Sequence, residues 1–367
     1  MIWIVVSVIV SIGLIVVVFI HQTKFGRTPK GERLERVKNS PNYYDGKFQN
    51  INATEQITSE KGFLGVISDF IFRKKERLYP ENALPVMKTD LWKLDRDRDV
   101  IVWFGHSSYL LQTDGIRVLV DPVFYEASPV SLYNKPFEGV NVFKPEDIPD
   151  VDYLVITHDH WDHLDYKTVI ALKERIGKVV CGLGVGEHFE YWGFNTSDII
   201  ELDWQEDYAD GNGVRIYCLP ARHFSGRSLF PNQSLWASFL IDTRKSKVYI
   251  GGDSGYDTHY AEIGERFGPI DLAILENGQY DSDWSLIHAL PEHIVKAFKE
   301  LNAQSLFTVH HSKYALANHP WDEPLKNISS MAERDSIHLL LPMIGEEVEL
   351  KDSVSYINRW WESSGVE

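Results

Sequence analysis

Residues 157–165 read THDHWDHLD, three histidines and three aspartates in nine positions. His158 and His160 stand two apart, as do His160 and Asp162, while Asp162 and His163 are adjacent. The run VDYLVI before them reads as a strand, so a turn at its end can aim several of these side chains at one spot. Imidazole and carboxylate without thiolate is a donor set that suits Zn²⁺ first, with Mn²⁺ or Fe as alternatives. A lone histidine here would be an ordinary hydrogen-bonding loop residue. HxHxDH at a strand end is instead read as a ligand cluster, with Asp162 and His163 able to face a second centre.

One loop cannot complete two metal centres. Three further candidates each end an apolar, strand-like run: His223 in LPARHFSGR, Asp253 in VYIGGDSGY, and His310 or His311 in LFTVHH. The two glycines before Asp253 let the backbone crowd close. All three follow the cluster in chain order. There is no GxSxG elbow and no Walker loop, so a serine nucleophile or a nucleotide hydrolase has no support.

The elements that must position these residues begin near Asp99. VIVWFGHSSYLLQT and IRVLVDPVF read as paired strands with TDG as their turn. VDYLVITH, KVVCGLG, IIELDW, VRIYCLPARH, SLWASFLIDT, KVYIGGDS, IDLAILENG and SLFTVHH read as further strands. YKTVIALKERI, YAEIGERFG, PEHIVKAFKELNA and EPLKNISSMAERDSI have helical periodicity. Strands first, then mixed strands and helices, occurs twice, which implies two packed sheets with helices outside. No fixed-period repeat is present.

The 367 residues are 44% hydrophobic and 13% aromatic, enough for a substantial core. Cys181 and Cys218 both sit in apolar runs and read as buried free thiols. Residues 21–40 carry Lys24, Arg27, Lys30, Arg33, Arg36 and Lys38 against Glu32 and Glu35, net +4; with −16 overall, residues 41–367 carry −20. A body that acidic argues against nucleic acid as a partner.

The chain opens on Ile2 to Ile20, 19 residues without charge or proline. That nearly spans a hydrocarbon core, and the stretch lacks the basic n-region and cleavage site of a signal peptide. It is therefore expected as a retained transmembrane helix, and the positive charge behind it puts the globular part on the cytoplasmic side. In residues 62–77, Phe63, Leu64, Ile67, Phe70 and Ile71 fall on one helical face, followed by Arg73, Lys74, Lys75 and Arg77. This is an amphipathic helix that packs on its own domain or lies on a membrane.

HxHxDH, a later histidine, a GGDSGY aspartate and a last histidine resemble the metallo-β-lactamase superfamily of binuclear hydrolases. SPNYYDGKFQN, WFGHSSYLLQTDGIRVLVDPVF, THDHWDHLD, LPARHFSGR, GGDSGYD and VHHSKYALANHPWDEP resemble, more closely, the branch of N-acyl-phosphatidylethanolamine-hydrolysing phospholipase D and its bacterial relatives. The resemblance covers about residues 39–345 and leaves out the apolar segment. It implies an αββα four-layer sandwich with the site at the shared edge of two mixed sheets. It implies two divalent metal ions. His158, His160 and His223 would hold the first; Asp162, His163 and His310 the second; Asp253 would bridge them. Asp162 and Asp253 would also serve catalysis. WSLIHALPEH places His288 near the substrate, although Ile287 departs from the mammalian pattern there. Asp121, in DPVF, and His106, in FGHSS, would support the ligands from behind.

The expected organisation is a transmembrane anchor over residues 1–22, a tether and N-terminal extension over 23–95, a hydrolase domain over 96–350 and a C-terminal tail over 351–367. The expected function is hydrolysis of a phospholipid-type phosphodiester by a metal-bridging hydroxide at a lipid membrane. One alternative is a hydrolase of a soluble ester, lactone or phosphodiester. The other is a catalytically silent membrane-tethered binding protein, against which the seven intact ligand positions argue.

Overall fold

The computed structural model describes residues 1–72, 75–350 and 355–365. Two mixed sheets form its centre. The first uses β1 (Val100–Trp103), β2 (Tyr109–Thr113), β3 (Ile116–Val120), β4 (Val151–Ile156), β5 (Ile176–Gly182) and β6 (Ile199–Leu202). The second uses β7 (Asp207–Ala209), β8 (Arg215–Leu219), β9 (Ser238–Asp242), β10 (Lys247–Ile250), β11 (Ile270–Glu276), β12 (Ala303–Val309) and β13 (His338–Leu341). The chain then returns β14 (Glu347–Glu349) to the edge of the first sheet beside β1, and β15 (Tyr356–Ile357) to the edge of the second beside β13.

Both sheets change hand of pairing in the same way. β1 to β3 and β7 to β10 are antiparallel neighbours; β3 to β6 and β10 to β13 are parallel. Parallel neighbours need crossovers; the one from β3 to β4 is a long loop over residues 121–150, and helices supply the others. They are α4 (Tyr166–Leu172) and α5 (Gly186–Tyr191) in the first sheet, and α6 (His259–Phe267), α7 (Pro291–Glu300) and α8 (Glu323–Asp335) in the second. Three more helices precede the sheets: α1 (Ile2–Ile20), α2 (Gly31–Lys38) and α3 (Gly62–Phe72).

The period of two along each strand sorts side chains into separate cores. Val100, Val102, Leu119, Leu154, Ile156 and Val179 cluster with Val169 and Leu172 of α4 and Phe189 of α5. The residues between them, Ile101, Trp103, Val118, Val120, Tyr153, Val155 and Val180, cluster with Phe239 and Ile241 of the second sheet. Tyr260, Ile263, Ile294, Phe298, Leu325 and Ile328 bring α6, α7 and α8 into that larger cluster. The architecture is the expected αββα sandwich. Cys181 and Cys218 are buried free thiols.

Several sequence readings need refinement. VIVWFGHSSYLLQT is two strands, β1 and β2, because Gly105 (φ 83°) and His106 (φ 53°) reverse the chain within it. The short α5 and β7 were not foreseen. In α3, Val66 is buried but Leu64 and Phe72 are exposed; the side chains of Phe63, Ile67, Phe70 and Ile71, and Arg73 and Lys74 as a whole, lie outside the described residues.

The segment expected as tether and extension lies against the sheets over much of its length. Val37 and Phe48 join the large core cluster, and Phe25 is buried. Arg33 pairs with Glu187 (2.8 Å), Glu190 (2.7 Å) and Glu201 (2.5 Å), and Arg36 with Glu206 (2.6 Å). Basic residues that the positive-inside count treats as free are thus engaged by carboxylates of the body. α1 itself is apolar, with none of its 18-residue window Trp3–Ile20 buried.

Candidate metal centre

The site lies where the strands deliver their C-terminal ends, as in open α/β sheets generally. β4 ends at Ile156, and the chain coils at once: the amides of His163 and Leu164 both donate to His160 O (3.1 and 2.8 Å). This coil folds four donor side chains back over the strand end. β8 leads to His223, β10 to Asp253 and β12 to His310. Gly252, at φ 60°, makes the approach of Asp253 possible, since a Cβ there would stand 2.9 Å from Thr157 Cβ.

All seven sequence-predicted ligand positions converge. His158 Nε2, His160 Nδ1 and His223 Nε2 form one group, with separations of 2.9 Å (His158 to His160) and 3.2 Å (His160 to His223). Asp162 Oδ2 forms a second with His163 Nε2 (3.8 Å) and His310 Nε2 (3.7 Å). Asp253 Oδ2 sits between them, 3.9 Å from His158, 3.8 Å from His223, 3.2 Å from His163 and 3.1 Å from His310. Tetrahedral Zn–N bonds of about 2.0–2.1 Å place neighbouring donor atoms about 3.3 Å apart, and the observed spacings bracket that value.

The hydrogen bonds behind the rings fix which nitrogen faces inward. Asp121 accepts from the Thr157 amide (2.9 Å) and hydroxyl (2.6 Å) and from His163 Nδ1 (2.8 Å), leaving His163 Nε2 to point at Asp253. His223 Nδ1 donates to Ile287 O (2.9 Å). The Thr157 hydroxyl, already donating to Asp121, accepts from His158 Nδ1 (3.0 Å). The inward nitrogens of His158 and His223 therefore carry lone pairs aimed at each other's neighbourhood, an arrangement that suits a cation. Among the described residues, His163 Nε2, His310 Nε2 and Asp253 Oδ1 are buried without a hydrogen-bond partner. Buried polar atoms are normally paired, so these orphans fit metal ligation.

Burial opposes ionisation of Asp253, but His163, His310 and His158 outweigh it and hold the carboxyl well below its usual range. Burial drives His106 down to about 3, aided by His310 and against the pull of Asp162. His106 is thus neutral, and its Nε2–H donates to Asp162 Oδ2 (3.0 Å). Asp121, His106 and His310 all have positive φ (40°, 53° and 69°), backbone that non-glycine residues rarely adopt. His311 turns away: its ring lies 4.8 Å from Trp103 and its Nδ1 2.8 Å from Ser312 Oγ.

His288 stands at the wall of a cavity of about 310 Å³ over the cluster, with Ile57, Phe224, Trp284, Ile287 and Leu316. Its Nδ1 donates to Glu276 Oε2 (2.7 Å), and its ring stacks on His310 at 5.2 Å. Burial lowers the basicity of His288, but Glu276 overcomes this and raises it above the ordinary histidine value. Glu276 was missed from sequence; a carboxylate ending the β11 run AILENG was its only signal. Asp159, inside the cluster, points away from it and accepts from the Gly226 amide (2.7 Å), Ser234 Oγ (2.8 Å) and His188 Nε2 (3.1 Å).

Residues 116–311, which include every ligand position, match the model of the beta-lactamase superfamily domain. The chain is 36% identical to an uncharacterized protein of Mycobacterium tuberculosis over 88% of this chain and 87% of that one. It is 30% identical to N-acyl-phosphatidylethanolamine-hydrolyzing phospholipase D 1 of Caenorhabditis elegans, over 58% of this chain and 64% of that protein. In fold it is similar to Igni18, a metallo hydrolase of the archaeon Ignicoccus hospitalis, with a TM-score of 0.52 at 21% identity over 69% of this chain and 98% of that one. On the family match, which spans more than half of the chain, the chain belongs to the metallo-β-lactamase superfamily of metal-dependent hydrolases.

Proposed function

We propose that the protein is a membrane-anchored hydrolase holding two divalent cations, Zn²⁺ foremost, and that it cleaves a phospholipid-type phosphodiester. The observation that carries this reading is Asp253 Oδ2, within 3.1–3.9 Å of four imidazole nitrogens drawn from both donor groups. His158, His160 and His223 would hold one cation and Asp162, His163 and His310 the other, with Asp253 placed between the two groups. Bound cations of this kind lower the pKa of water to near neutrality and polarise a phosphoryl oxygen.

The chain's own residues do the rest. His106 fixes Asp162 through its 3.0 Å contact, keeping that carboxylate in one orientation beside the cavity. Asp121 does the same for His163. His288, held by Glu276 and facing the cavity, can carry a proton at Nε2 and donate it to a departing or phosphoryl oxygen. Phe224, Trp284, Ile287 and Leu316 give the cavity an apolar wall that suits the glycerolipid side of such a substrate. The similarity to a phospholipase D that acts on N-acyl-phosphatidylethanolamine and the exposed apolar α1 support a lipid substrate. In this reading residues 1–22 are the anchor, 23–95 the N-terminal extension, 96–350 the hydrolase domain and 351–367 the tail.

Turnover of the zinc-loaded full chain on mixed phospholipid vesicles, with products identified by mass spectrometry, tests the reading. Phosphatidic acid released by the wild type and not by Asp253→Ala is expected. Metal-loaded protein that releases no lipid product refutes the phospholipid assignment.

A further inference from the structure

The segment after α1 connects it to the metal loop by direct contact. Phe19, in the last turn of α1, meets Phe25 edge-on at 5.3 Å, and Phe25 meets Trp161 edge-on at 4.9 Å. Trp161 lies in the chain between the ligand positions His160 and Asp162. The Arg227 guanidinium also lies over the Trp161 ring, at 4.1 Å. Arg227 in turn donates to Lys24 O (2.9 Å), Asp159 O (3.0 Å) and Leu164 O (2.5 Å), and Trp192 Nε1 donates to Thr23 O (2.8 Å). Two ring-to-ring steps therefore separate the end of α1 from the loop that carries four of the ligands.

Two loop tips flank the same place. Lys24 Nζ donates to Pro129 O (2.8 Å), and the tip that follows exposes Leu132 (75%) and Tyr133 (70%). Leu229 (65%) and Phe230 (70%) form the second tip, and Phe230 lines one crevice with Ile20 and Phe25. Single exposed apolar side chains are ordinary on any protein surface. Four of them on two loops, beside the end of an apolar helix of membrane-spanning length, form an apolar rim.

We propose that this rim is a seating face for the interfacial layer of a phospholipid bilayer. With α1 across the hydrocarbon core, Phe19 lies at its boundary, and Leu132, Tyr133, Leu229 and Phe230 enter the headgroup region beside it. Apolar and aromatic side chains there bury about 5–10 Å into the headgroup and acyl boundary, and Tyr133 and Phe230 match the aromatic preference for that layer. The metal loop is then held at headgroup depth by a fixed contact instead of swinging on a flexible tether. This deepens the proposed function and rests on its membrane anchoring; the test reads depth, not turnover, so the two fail separately.

Cys181 and Cys218 are buried, so single surface cysteines at Leu132→Cys and Phe230→Cys can be labelled selectively with an environment-sensitive fluorophore. Trp92→Cys is the reference, since Trp92 is exposed beside Glu146 and Arg175, at the end of the sandwich away from the metal loop. The full chain is reconstituted into phosphatidylcholine–phosphatidylethanolamine vesicles and quenched with doxyl lipid or aqueous iodide. Labels at 132 and 230 are expected to be quenched by doxyl lipid several-fold more than the label at 92, and to be protected from iodide. Doxyl quenching no greater than at 92 overturns the proposal. So does shielding from both quenchers, which would mean that a second copy of the chain covers the rim.

Discussion

Asp121 accepts three hydrogen bonds, and one of them sets the ring orientation of His163. Removing that acceptor leaves the ligands in place but frees a ring. Asp121→Asn is therefore expected to weaken metal affinity or activity by about 10–100-fold, read by chelator competition; unchanged affinity would contradict this role. His310 and His311 offer a sharper contrast. His310→Ala should lose metal, whereas His311→Ala should keep it and lose stability, because His311 packs on Trp103. Metal content and melting temperature of the two variants separate these outcomes. The seven converging positions were legible in the sequence because four are local to one loop and the others each end an apolar run. Glu276 was not, since its partner His288 is twelve residues on and nothing local marks the pair. The HxHxDH spacing already singled out Asp162 and passed over Asp159, and the fold agrees, turning Asp159 outward to Gly226 and Ser234.

At the scale of elements, α2 is locked to α5 and β6 by Arg33, whose side chain is only 11% exposed against Glu187 and Glu201. Glu201 also accepts from the amides of Gly184 and Gly186. Arg33→Ala strands these carboxylates, and a loss of about 3–5 kcal/mol is expected from denaturant unfolding. A change under about 1 kcal/mol would mean that the contact behaves as a surface pair. The strands and outer helices were readable from period and turn residues, but this clasp was not: residues 23–40 are polar, as a linker would be, and the carboxylates that meet Arg33 and Arg36 lie more than 150 positions away. Lys313, after β12, is wholly buried and donates to the carbonyls of Phe104 (3.2 Å) and Val123 (2.9 Å). Burial pushes it down to about 7 from 10.5. Between those values the unfolded chain holds a proton that the folded chain has released, so Lys313 makes stability rise with pH across that window. The melting temperature should increase from pH 7 to pH 9, and the increase should shrink in Lys313→Met; an identical slope in both would contradict the assignment.

For the whole molecule, α1 and the body are two parts joined by a packed junction. Deleting residues 2–18 removes apolar surface that nothing in the fold covers, and metal content and melting temperature should be kept. Deleting residues 2–40 also removes Phe25, Arg33 and Val37 from their packed positions. That protein should melt at clearly lower temperature, and equal stability of the two truncations would show that the junction contributes nothing. At the same junction Lys24, Arg33 and Arg36 meet Glu126, Glu187, Glu190, Glu201 and Glu206. Seven side chains from both sheets converge on one place, and the proposed function gives them two cations to hold. The most direct test of that assignment is the metal content of the full chain after zinc loading and gel filtration, measured by elemental mass spectrometry beside Asp253→Ala. Two equivalents per wild-type chain and a clear loss in the variant are expected. Wild-type protein that retains no metal, or a variant that binds as much as the wild type, would contradict it.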